Sequence, residues 1–100
     1  MFPVVTISGS TKFKKEFRDA AAKLEKAGCI VLTTHIFSHA DNLTVTDEER
    51  KMYEKMYEQS IDMSSIVYVV NKNGYIGEST GKEIEYALMT GKEVRYLYGN

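Results

Sequence analysis

Apolar positions along the chain follow two alternating periods. Four short runs have strand length: Pro3 to Ser8, Cys29 to Thr33 and Ile66 to Asn71 are rich in β-branched residues, and Glu93 to Tyr98 has alternating character. Between them apolar residues recur at three- and four-residue steps. Phe13, Phe17, Ala20, Ala21 and Leu24 make one such stripe, predicting a helix from the Gly9-Ser10-Thr11 turn to about Lys26. Lys14, Lys15, Arg18, Lys23 and Lys26 take its solvated face, and Gly28 ends it in the C′ position. A second helix starts at Thr46-Asp47-Glu48-Glu49, a hydroxyl cap followed by an acidic first turn, and runs to about Asp62. Met52 and Met56 are expected to face inward from it, and Tyr53 and Tyr57 are candidates for the same face. A third helix is expected from Thr80 to about Met89, closed by Gly91.

The order β-α-β-α-β-α-β predicts a three-layer α/β sandwich with a parallel sheet, because crossovers of this kind make right-handed parallel units. The strand order expected is 2-1-3-4, flavodoxin- or Rossmann-like, with the alternating last strand at an edge. At 100 residues the chain makes one domain, 1–100.

Composition narrows the function classes. A hydrophobic share of 43%, a charged share of 27% and a net charge of -1 give no electrostatic footprint for a nucleic acid polymer. No apolar run spans a bilayer, no basic amphipathic stretch suits a membrane surface, and no secretory leader precedes the first strand. The single cysteine, Cys29, has no internal disulfide partner, which fits a reducing cytoplasm, and at a strand start it reads as a small buried hydrophobe.

Candidate chemistry gathers around Gly77-Glu78-Ser79-Thr80-Gly81-Lys82-Glu83. In a 2-1-3-4 sheet the loops after the first and third strands flank the switch point where a crevice opens. The first loop brings Ser8, Gly9, Ser10 and Thr11, backbone N–H groups and hydroxyls suited to a phosphate or, equally, to an N-cap turn. Neither the P-loop lysine spacing nor a full dinucleotide fingerprint is present, and no cofactor is expected. The third loop brings Tyr75, Gly77, Glu78, Ser79, Thr80 and, one turn into its helix, Glu83. The spacing from Ser79 and Thr80 to Glu83 also suits a capping box. A carboxylate beside an anion site can act as a nucleophile on an oxocarbenium-like sugar carbon. Glu78 reads as a second acid or a first-turn charge, Glu85 as solvated, and Tyr75 as a surface on which a base could stack. The long polar segment from Thr34 to Thr46 holds His35, expected to contact a ligand or the loop, and His39. No third ligand accompanies these histidines, so no metal site is expected.

Three segments together, Ile7-Ser8-Gly9-Ser10, Val31-Leu32-Thr33-Thr34-His35 and Gly77 through Glu83-Ile84-Glu85-Tyr86-Ala87 to Gly91-Lys92-Glu93-Val94, resemble the nucleoside 2-deoxyribosyltransferase-like superfamily. The likeness is nearest to its small deoxynucleoside 5′-monophosphate N-glycosidases. The resemblance implies cleavage or exchange of the N-glycosidic bond of a nucleoside or nucleotide through a glutamate nucleophile, in a homodimer or larger homo-oligomer. By that resemblance Glu83 falls on the nucleophile, Gly9, Ser10 and Thr11 on the phosphate-binding turn, and Ser79 in the loop before the nucleophile. The chain departs from the family pattern at four places. Thr6 stands in place of a first-strand tyrosine and Tyr57 in place of a helix aspartate, with Asp62 the nearest aspartate downstream. Glu85 stands in place of a glycine and Gly77 in place of a polar residue. An alternative use of the same crevice is a non-catalytic nucleotide- or nucleotide-sugar-binding module, and a third is an oligomeric scaffold whose hydroxyl clusters only cap helices.

Overall fold

The four strand-length runs become strands β1 (Val4–Gly9), β2 (Ile30–Leu32), β3 (Ile66–Val70) and β4 (Glu93–Tyr96) in a computed structural model, which describes residues 1–99. The last residue of the expected domain, Asn100, lies outside the described residues. All three pairings are parallel and the order is β2-β1-β3-β4, the topology that the sequence predicts, with β4 at an edge. Helices α1 (Lys14–Lys26), α2 (Asp47–Asp62) and α3 (Glu78–Met89) supply the crossovers.

Strand β3 is apolar along its whole length because it is covered on both faces, as a central parallel strand must be. Val67 and Val69 pack with Ile61 of α2 and Ala87 of α3 on one side of the sheet. Val70, one residue out of phase, packs on the other side with Ile7, Phe13, Phe17, Ala20 and Phe37. These two clusters make the sandwich three-layered. The register Ser8↔Val69 and Gly9↔Val70 sets the C-terminal ends of β1 and β3 side by side, so their following loops leave from the same edge.

Several boundaries differ from the sequence expectation, each for a local reason. Helix α1 begins at Lys14 rather than at Thr11: Phe13 is its N-cap residue, and its N–H bonds to the Ser10 carbonyl at 3.0 Å, closing a separate turn ahead of the helix. Helix α3 begins two residues earlier than expected, at Glu78, with Gly77 as N-cap and no side chain capping it. Cys29 and Thr33 flank β2 instead of belonging to it, and Cys29 is half-buried. Strand β3 stops before Asn71, whose side chain instead pairs with the Tyr98 backbone at 2.8 and 2.9 Å, beyond the end of β4.

The largest correction concerns α2. Its start is as expected, with a reciprocal capping box between Thr46 and Glu49. Met52 and Met56, however, are 50% and 55% exposed, and Tyr53 and Tyr57 turn inward in phase with the fully buried Ile61. Polar bonds fix that rotation. The Tyr57 hydroxyl donates to the Ile7 carbonyl at 2.9 Å, and Thr6 Oγ1 reaches the Ser60 carbonyl at 3.1 Å and Ser64 Oγ at 2.6 Å. Thr6 is fully buried in the middle of β1, so these bonds satisfy a hydroxyl that would otherwise be stranded in the core.

Candidate functional site

A cleft of about 360 Å³ opens at the C-terminal edge of β1 and β3. One wall is the turn Gly9-Ser10-Thr11; another is the loop and first turn of α3, with Tyr75, Gly77, Glu78, Ser79 and Thr80. Glu83 lines it from one turn further along α3. The crevice thus brings together nine of the eleven residues that the sequence marks for the site. Ser8, a tenth, is fully buried at the end of β1, and its hydroxyl donates to the Glu83 carboxylate. That bond joins residues 75 positions apart and follows directly from the strand register.

The contact also decides what Glu83 does structurally. It does not cap α3, since the helix has already begun at Glu78; its carboxylate is turned to the end of β1. Burial pushes the Glu83 carboxyl up to about 7, against the pull of the Ser8 hydrogen bond and with a further push from the nearby charge of Glu54. Burial thus leaves this carboxyl poised near neutrality beside the cleft. The Tyr57 hydroxyl is pushed well above the usual phenol range, first by burial and then by the charge of Glu83.

His35 is not brought to this cleft. It is exposed and lines a separate groove between β2 and α2, with Leu32, Tyr53 and Met56. The histidine at the cleft is His39, whose backbone N–H donates to Thr11 Oγ1 at 3.3 Å and whose Nδ1 lies 3.4 Å from the same hydroxyl. Tyr75 lines the cleft, but the Lys12 ammonium sits 3.5 Å from its ring centroid and Phe13 meets the ring edge-on at 5.9 Å. One face of Tyr75 is therefore already engaged by a cation. Among the described residues no group of three or more His, Cys, Asp or Glu is placed to hold a metal ion, and no helix is long and apolar enough to cross a membrane.

Residues 5–96 match the family model described as a domain of unknown function, DUF4406. The chain belongs to that family. No curated protein matches the chain.

Two further lining elements had no motif to announce them. The segment after β2 contributes Thr34, Ile36, Ser38, His39 and Val45, and α2 contributes Arg50, Tyr53, Glu54 and Tyr57. A signal for the α2 set existed. Glu54 stands seven residues before Ile61, the most buried position of the helix, so an acidic residue lies in phase with the core stripe. Glu54 itself is exposed, but from the middle of α2 it borders the crevice.

Proposed function

We propose that this protein breaks the N-glycosidic bond of a nucleoside or nucleotide, with Glu83 as the nucleophile, as a hydrolase or transferase. The observation that carries the reading is the Glu83 carboxylate, held by the Ser8 hydroxyl on the wall of a cleft whose other wall is a hydroxyl-bearing turn. The Gly9-Ser10-Thr11 backbone and hydroxyls offer donors to a phosphate, and so does the α3 N-terminus at Ser79 and Thr80. A sugar tethered there presents its anomeric carbon to Glu83. Attack by a Glu83 oxygen forms a C–O bond as the C–N bond breaks, and the departing nitrogen takes the electron pair and a proton from solvent. The Ser8 donor steadies the ionised carboxylate needed for attack. The resemblance to the nucleoside 2-deoxyribosyltransferase-like superfamily supports the same assignment of Glu83.

Incubation with a panel of ribo- and deoxyribonucleoside 5′-monophosphates, with free base measured by chromatography, tests the reading. Release by the wild type that disappears in Glu83→Ala is the expected result. Ligand-induced thermal stabilisation with no release would instead favour the nucleotide-binding module. The reading includes a homodimer or larger homo-oligomer, supported by Met52 and Met56, exposed one turn apart on α2; sedimentation at micromolar concentration giving only a monomer would remove that part.

A further inference from the structure

Glu83 borders a second opening besides the cleft. A small groove of about 80 Å³, open to solvent, lies between α2 and α3, and its polar lining is Glu54, Glu58, Ser79, Lys82, Glu83 and Tyr86. Room for more than one water, together with several converging polar groups, is what an ordered water site requires. Glu54, Ser79 and Glu83 line both this groove and the cleft, so they form the partition between them. Glu58 and Lys82 line only the groove. Of the carboxylates other than Glu83, Glu54 alone lines both spaces; Glu78 lines only the cleft.

We infer that the groove between α2 and α3 delivers water to the glycosyl–Glu83 intermediate, that Glu54 is the base that activates it, and that the reaction therefore ends in hydrolysis rather than transfer. The inference rests on the assignment of Glu83 as nucleophile. In the second step a water oxygen bonds to the anomeric carbon, the C–O bond to Glu83 breaks with its electron pair returning to the carboxylate, and Glu54 takes a proton from the water. Glu54 then gives that proton to solvent, which balances the one taken up by the leaving base in the first step. No oxidant, metal or further reactant is needed.

Glu54→Gln separates the two steps. The side chain is exposed at its helix position, so the substitution is expected to leave thermal unfolding unchanged. Base release from the responsive monophosphate should show a burst of about one equivalent and then proceed roughly 10²-fold or more slower than wild type. Azide, a small nucleophile with no proton to lose, should restore turnover and yield the glycosyl azide; Glu54→Asp should retain part of the hydrolysis. Wild-type turnover in Glu54→Gln overturns the role of Glu54, as does a loss with neither burst nor azide rescue, while the Glu83 assignment stands on Glu83→Ala. Wild-type conversion mainly to an exchanged nucleotide, in the presence of excess free base, overturns water as the acceptor. Absence of any release by the wild type removes the Glu83 assignment and this inference with it.

Discussion

Glu83→Gln is expected to be the more stable protein above neutral pH and the inactive one. The amide keeps a carbonyl oxygen for the Ser8 hydroxyl but carries no charge into the half-buried site. Burial raises the wild-type carboxyl from 4.5 to about 7, so the folded state binds this proton more tightly than the unfolded state does. Stability from this group is fully present below about pH 4.5 and declines as pH rises through about 7, and above that the decline is complete. Each tenfold gain in proton affinity on folding corresponds to ~1.4 kcal/mol, so holding the carboxylate ionised costs on the order of 3 kcal/mol. Urea denaturation should therefore give nearly equal stabilities for wild type and variant at pH 5, and a variant more stable by roughly 2–3 kcal/mol at pH 8. A constant difference across that range would mean that Glu83 is solvated, and a less stable variant at pH 8 that its charge is paired. The same substitution should abolish base release, because an amide is no nucleophile toward the anomeric carbon. Stability gained at the expense of activity is the pattern expected where a site holds a charge that folding alone disfavours.

Gly9→Ala is expected to be the most damaging small substitution in the sheet. A Cβ at this position would lie 2.6 Å from the Val70 carbonyl oxygen and 3.1 Å from both Phe17 Cε1 and Val70 Cβ. The nearest obstacle is backbone of the adjacent strand, and the others belong to fully buried residues, so no flexible side chain can move aside. Relief requires the ends of β1 and β3 to separate, which also displaces the turn lining the cleft. A loss of roughly 3 kcal/mol by urea denaturation is expected. Gly81→Ala is the control: it lies inside α3 with nothing within 4 Å of an added Cβ, and should gain about 0.5–1 kcal/mol. Equal stability of the two variants would contradict the close approach at Gly9.

The parts of this fold legible in the sequence are those governed by periodicity and handedness. Four strand-length runs joined by three helical stripes admit few parallel arrangements, and the order with β1 and β3 adjacent is among them. That adjacency is why Ser8 to Thr11 and Tyr75 to Glu83 can be assigned to one crevice from the order of elements alone. The discrepancies lie where periodicity is silent or ambiguous. Helix α2 carries two apolar stripes, Met52 with Met56 and Tyr53 with Tyr57, and only the phase set by Ile61 and the hydrogen bonds to β1 selects the second. Ser79 and Thr80 resemble caps only if the helix starts after them, whereas Gly77 begins the helix and frees Glu83 for Ser8. His35 and His39 are four residues apart in a segment without regular structure, where spacing says nothing about direction. Glu54 is easily passed over because an acidic residue on a mostly polar helix is usually solvated.

The seam between β1 and β3 has a consequence for how a working molecule comes into being. Residues before the Thr34–Thr46 segment build β1, α1 and β2, and residues after it build α2, β3, α3 and β4. Neither portion alone owns a complete crevice, since Ser8 and Gly9 come from the first and Glu54 and Glu83 from the second. The crevice in this chain is thus contingent on the union of its two halves: a nascent or nicked polypeptide that has not zipped that central pair lacks it.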